Sequence, residues 1–174
     1  MDKWDKRFYQ ATQEIASWSM CLSRQIGAVI VRDRTIVSTG FNGPPRGVTH
    51  CGEQRLLEDK SLPFIEAKNR HLCPRQALGF KSGEGLHLCT ASHAEENAII
   101  NAARIGVSTL GTTMYMSCGI PCQNCIKKII NSGIMEIVCV NIDDWYDELS
   151  KFLVRQTSLK IRDYENEEIE RGRI

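Results

Sequence analysis

Apolar positions recur at helical spacing over residues 3–20. Trp4, Phe8, Ala11, Ile15 and Trp18 form one stripe there and predict an amphipathic opening helix with its stripe in the core. Two short strand-like runs follow at 25–31 (QIGAVIV) and 35–38 (TIVS), a hairpin around Arg32-Asp33-Arg34, which is polar but not a strong two-residue turn type. Thr39-Gly40-Phe41-Asn42-Gly43-Pro44-Pro45 is a dense turn signal. Further on, Ala94, Ala98, Ile99, Ile100, Ala102 and Ala103 mark a second helix, residues 112–117 a strand, and Ile126, Ile129 and Ile130 the apolar face of a third helix closed by Ser132-Gly133. Residues 134–140 (IMEIVCV) form a nearly continuous apolar run, the mark of a strand buried on both faces. A helix at 144–155, a last strand at 158–164 and a solvated charged tail after Asn166 complete the pattern. This alternation predicts a single domain over residues 1–174: a three-layer α/β/α sandwich with a five-stranded mixed sheet.

Two stretches on this frame carry chemistry, Ser92-His93-Ala94-Glu95-Glu96-Asn97 and Pro121-Cys122-Gln123-Asn124-Cys125. A catalytic zinc takes three protein ligands and keeps a fourth position for water, and His93, Cys122 and Cys125 make three. Cys122 and Cys125 follow a proline, so both thiols are expected on one face of a helix's first turn, where the helix N-terminus favours thiolates. Ser92 reads as the N-cap of the preceding helix, which places His93 in its opening turn, and two helix N-termini then meet at one metal. Glu95 is the candidate proton carrier. It lies roughly 200° around a helix from His93, so the two must reach a common cavity over the helix's open end. Ser92 and Glu95 also fit a capping box.

Residues 49–91 break the pattern as an insertion, with short helices expected at 53–60 and 64–70 around Pro63 and a flexible turn at 81–85. They hold Cys51, His71, Cys73, His87 and Cys89, with His-Leu-Cys written twice; on an extended strand each His and Cys would face the same way. Together with Cys21 they suggest a second, closed, structural zinc that pins the insertion. The preferred ligands are Cys21, Cys51, Cys73 and Cys89, with His71 and His87 as alternatives.

The formal net charge is only +1 and no basic patch is evident, which argues against a nucleic acid polymer as partner. No apolar run approaches the roughly 20 residues needed to span a bilayer. The polar start of the chain lacks an apolar leader segment, so the eight cysteines are expected to be reduced in a cytoplasmic protein.

The His-Ala-Glu and Pro-Cys-x-x-Cys pair is the signature of zinc nucleobase deaminases, in which the Glu is not a ligand. With CLSRQIGAVIV at 21–31, STGFNGPPRG at 38–47, His50-Cys51 and NAARIG at 101–106, the chain resembles the deoxycytidylate (dCMP) deaminases of the cytidine deaminase superfamily, in a form similar to those of bacteriophages. The resemblance implies hydrolysis of dCMP to dUMP and ammonia in a homohexamer, in the host cytoplasm if the source is a phage. It also implies activation by dCTP with Mg²⁺ and inhibition by dTTP. Carried onto this chain, His93, Cys122 and Cys125 would hold zinc and Glu95 would shuttle protons. Gly40, Phe41, Asn42 and Gly43 fall on the family's Gly-Tyr-Asn-Gly motif, associated with nucleotide binding and regulation, and Cys21 and Cys51 on ligands of a structural zinc seen in phage members. Phe41 replaces the usual Tyr, and Met-Ser-Cys-Gly-Ile before Pro121 is one residue longer than the common pattern. Arg24, Arg46 and Lys81 are candidates for the 5′-phosphate by charge and position. A tRNA or free-nucleoside deaminase, or a silent zinc scaffold that binds nucleotides, are the competing readings. Near-neutral charge weighs against the first, the insertion and the Gly-Phe-Asn-Gly stretch against the second, and the presence of Glu95 against the third.

Overall fold

The structure is a computed structural model that describes residues 3–81, 83–164 and 169–171. Helix α1 (Lys3–Ser17) opens the chain, followed by the hairpin β1 (Gly27–Arg32) and β2 (Thr35–Phe41). The core then runs α4 (Ala94–Arg104), β3 (Thr113–Met116), α5 (Gln123–Asn131), β4 (Glu136–Cys139), α6 (Glu148–Arg155), β5 (Lys160–Asp163) and β6 (Ile169–Arg171). The insertion contributes only α2 (Glu53–Glu58) and α3 (Pro74–Ala77), plus 3₁₀ turns at Ala67–Asn69 and Leu86–Leu88.

The strands form one mixed sheet in the order β2-β1-β3-β4-β5-β6, with β3-β4 and β4-β5 parallel and the rest antiparallel. The five expected strands are present. The sixth, β6, pairs with β5 where the sequence suggested a solvated tail, so the edge of the sheet is extended by backbone pairing that side-chain pattern does not encode. Alternation along the strands divides the core into two layers. Val29, Val31, Tyr115 and Val138 face α1 through Phe8 and Ile15, while Ala28, Ile30, Met114, Met116 and Ile137 face the side packed by Ala94 and Ala98 of α4 and Ile126 and Ile129 of α5. A buried polar tie locks the first layer. Asp5 of α1 accepts from Tyr115 Oη at 2.8 Å and from Arg162 Nη1 at 2.6 Å, linking α1 to β3 and β5. Burial opposes the Asp5 charge, yet these two partners hold its carboxyl below the ordinary value.

Two local differences from the sequence pattern have clear causes. Asp33 and Arg34 both adopt left-handed conformations, with φ 48° and 62°, so the hairpin closes on a two-residue turn of the primed type despite lacking Gly. Residues 64–70 do not form a helix beyond the single 3₁₀ turn at Ala67–Asn69. Among the described residues no helix is long and apolar enough to cross a membrane.

Candidate active site

Helices α4 and α5 pack in the same layer against the sheet, and their N-termini meet at one cavity. Both are capped by metal-type residues. His93, not Ser92, is the N-cap of α4, in an extended conformation (φ −74°, ψ 158°), and its backbone N–H donates to Glu96 Oε2 at 3.0 Å. The capping box therefore runs from His93 to Glu96, one residue later than Ser92 to Glu95, and Lys128 of α5 pairs with Glu96 from outside. The difference frees Glu95 from a capping role. Because His93 lies outside the helical turn, the angular separation expected from helix geometry does not apply, and both side chains reach one cavity. Cys122 is likewise the N-cap of α5, with Cys125 three residues on in its first turn.

The three side chains converge. His93 Nδ1 lies 3.3 Å from Cys125 Sγ and 3.6 Å from Cys122 Sγ, and the three potential ligand atoms are all within 4.8 Å of one another. Hydrogen bonding from Cys125 and then from His93 pulls the Cys122 thiol down to about 4, and the same contact with Cys122 raises His93 to about 9. One nitrogen and two sulfurs at the end of two helices match the donor set of a catalytic zinc, leaving the cavity side open. Glu95 is only 4% exposed beside this cluster; burial pushes its carboxyl up, partly offset by its own backbone N–H and by His93.

The cluster opens into a cavity of about 440 Å³, within the usual range for small-molecule sites. Of the residues on the Gly-x-Asn-Gly stretch, Asn42 alone lines it. Its amide is committed to the backbone, accepting from the Ile26 N–H at 2.8 Å and donating to the Arg24 carbonyl at 2.8 Å, and so fixes the wall segment 24–26. Gly40 is a packing glycine: a Cβ there would meet the Ala98 nitrogen at 2.2 Å and the Ala94 carbonyl at 2.4 Å. Phe41 makes an edge contact with Trp18 across a 6.3 Å centroid separation, and Gly43 bridges to Ser92, which seats the loop against α4. Arg24 lines the cavity; Arg46 instead donates to Asn101 on the surface, and Lys81 is not part of the wall.

Several wall residues carried no sequence signal. Asp144, Trp145 and Tyr146 line the cavity because α6 starts at Glu148, four residues later than a helix from 144 would: Asp147 caps it, accepting from the Ser150 N–H at 2.6 Å and from the Gln123 N–H of α5 at 3.3 Å. Arg75, Gly83 and Leu86 reach the wall from the insertion. Three neighbouring acids, Asp143, Asp144 and Asp147, make the cap ambiguous in sequence, whereas nothing in the sequence places Arg75.

The second cysteine group is looser. Cys73 and Cys89 act electrostatically on Cys51, whose thiol is raised first by burial, and Arg55 Nη1 lies 3.2 Å from Cys51 Sγ. No three of Cys21, Cys51, Cys73, Cys89, His71 and His87 bring their ligand atoms within the 4.8 Å mutual distance that the His93 group meets. His71 and His87 are exposed. The two His-Leu-Cys copies are not strands: Leu86–Leu88 is a 3₁₀ turn and Cys73 is the N-cap of α3, so the same-face argument does not hold for either.

The sequence profile described as the cytidine and deoxycytidylate deaminase zinc-binding region matches residues 2–141. Deoxycytidylate deaminase of Schizosaccharomyces pombe is 34% identical over 135 residues, 78% of this chain and 36% of that protein. This chain thus spans about a third of the length of that yeast relative. Deoxycytidylate deaminase of Enterobacteria phage T4 is 38% identical over 144 residues, covering 75% of this chain and 72% of the relative. The crystal structure of dCMP deaminase from the cyanophage S-TIM5 in complex with dCMP and dUMP superimposes with a TM-score of 0.65 at 22% identity, covering 94% of this chain and 98% of that one. That likeness confirms the fold. Since the matched span contains the whole His93, Cys122 and Cys125 cluster and Glu95, the chain belongs to the cytidine and deoxycytidylate deaminase family.

Proposed function

We propose that this protein hydrolyses dCMP to dUMP and ammonia. The observation that carries the reading is a buried carboxylate, Glu95, set against a His/Cys/Cys cluster at the end of a nucleotide-sized cavity. Zinc held by His93, Cys122 and Cys125 would supply a Lewis acid that acidifies a water. The remaining work belongs to the chain. Glu95 takes the water's proton and delivers it to the ring nitrogen of cytosine as oxygen adds at the amine-bearing carbon; it then takes the second proton from the added hydroxyl and passes it to the amine, so that the carbonyl forms as the C–N bond breaks and ammonia leaves. Its low exposure excludes bulk water from that transfer. Ile120 and Trp145 on the cavity wall offer apolar surface to the base.

The named relatives support dCMP over other cytosine compounds, and activation by dCTP with Mg²⁺, inhibition by dTTP and a homohexamer are further parts of this reading that rest on the sequence resemblance alone. A structural zinc drawn from Cys21, Cys51, Cys73 and Cys89 belongs to it as well; the proximity of Cys51, Cys73 and Cys89 favours it, and closing the site requires these thiols to draw together on binding. Ammonia release from dCMP, dCTP, deoxycytidine and CMP, each with and without dCTP and Mg²⁺, tests the assignment. Selective turnover of dCMP, raised by dCTP, is expected. Preferred turnover of another compound, or of none, would contradict it.

A further inference from the structure

Asn97 ends the His-Ala-Glu-Glu-Asn stretch, yet it belongs neither to the ligand group nor to the cavity wall. Its backbone N–H donates to the His93 carbonyl at 3.0 Å, and its side-chain Nδ2 donates to the Phe41 carbonyl of β2 at 2.8 Å. One turn further along α4, Asn101 Nδ2 makes the same kind of bond to the Thr39 carbonyl at 2.8 Å. The spacings match, because four helical residues rise about 6 Å and two strand residues span about 6.8 Å.

The two amides hold different things. The Thr39 carbonyl lies within the strand. The Phe41 carbonyl belongs to the peptide unit whose N–H is that of Asn42, and this N–H donates to the Ile26 carbonyl at 3.1 Å. The C=O and N–H of a trans peptide point in opposite directions, so Asn97 and Ile26 grip one peptide from its two sides. From that peptide hangs the Asn42 side chain, which accepts from the Ile26 N–H and donates to the Arg24 carbonyl, each at 2.8 Å. Arg24, Ile26 and Asn42 all line the cavity, and Glu95, two residues before Asn97, lines it from α4.

We propose that Asn97 is a positioning residue for the deamination: it holds the wall formed by Arg24, Ile26 and Asn42 in register with Glu95. The proposal rests on the deaminase reading above. The bound ring lies between this wall and the proton carrier, and a misplacement of about 1 Å between them costs up to about 10²-fold in rate. Asn101 makes an equivalent bond to a stretch with no part in the cavity, so the chain carries its own control.

The test compares Asn97→Ala with Asn101→Ala in the zinc-loaded protein. Each variant loses one side-chain bond to β2, and Asn101→Ala also loses the contact with Arg46, so a purely structural role predicts an equal or larger defect from Asn101→Ala. The proposal predicts the reverse. In Asn97→Ala, kcat for dCMP should fall about 10- to 100-fold with zinc content kept and KM changed far less, whereas Asn101→Ala should stay within about threefold of the wild type. Asn97→Asp, which keeps the volume and removes the donor, carries the same prediction and replaces Asn97→Ala if that variant does not fold. Equal or larger kinetic losses in Asn101→Ala, no loss in the Asn97 variants, or a loss confined to KM would overturn the proposal. Hydrogen exchange at the Ile26 amide, which Asn42 Oδ1 accepts, reads the wall without turnover. Faster exchange in the Asn97 variant than in Asn101→Ala supports the role, while equal or slower exchange refutes it. Absence of dCMP turnover in the wild type would instead count against the deaminase reading, and exchange at Ile26 still reports on Asn97.

Discussion

The two cysteine-bearing regions of this chain are built in opposite ways. His93, Cys122 and Cys125 sit at the ends of two helices whose shafts, through Ala94, Ala98, Ile126 and Ile129, are fully buried against the sheet. Their positions follow from core packing, and the donor atoms converge within 4.8 Å of one another. Cys51, Cys73 and Cys89 instead sit in an insertion of two short helices and 3₁₀ turns, where Leu57 and Phe64 are 73% and 83% exposed. There apolar burial is too sparse to fix side chains closely, and the thiols come near one another without closing. A preorganised site suits catalysis, and a loosely gathered one suits a staple that metal completes.

The largest effect that sharpens this contrast is expected from Cys125→Ser. Turnover should fall below detection, and elemental analysis should show the catalytic zinc gone while one equivalent remains in the insertion. Next comes Gly40→Ala, which forces a methyl into the α4 backbone and should cost about 3 kcal/mol in denaturant unfolding while also lowering activity, because α4 carries His93 and Glu95. Cys51→Ser should reduce zinc from two to one per chain and increase proteolysis within 49–91, yet leave the turnover of dCMP within about an order of magnitude. An unchanged zinc content would break the comparison. The smallest effect is expected from Lys128→Met, which removes a half-exposed ion pair with Glu96 and should cost about 0.3–1 kcal/mol.

Legibility in the sequence followed the strength of the local pattern. Strands β1 and β4 and helices α1, α4 and α5 were readable because long apolar runs or stripes coincide with burial on the sheet. The ligands and Glu95 were readable from residue type and spacing, although the caps were not. Ser92 and His93 both precede α4, and only the fold decides that the backbone turns helical after His93. The repeated His-Leu-Cys misled because Gly85, with φ 61°, turns the second copy into a 3₁₀ turn. Gly40 falls on a motif that the resemblance ties to nucleotide binding but serves helix–strand contact, a distinction that depends on a partner 58 residues away at Ala98. The wall residues Trp145 and Tyr146 come from a loop and Arg75 from the one-turn helix α3, and the paths of both segments are set by tertiary contacts.

The central claim is that Glu95 is the proton carrier of a zinc site already formed by the core. It is tested most directly by measuring zinc content and dCMP turnover together in Glu95→Gln. The account predicts wild-type zinc and an unchanged melting temperature with turnover reduced about 10²- to 10⁴-fold. Substantial residual turnover at full zinc occupancy would contradict it.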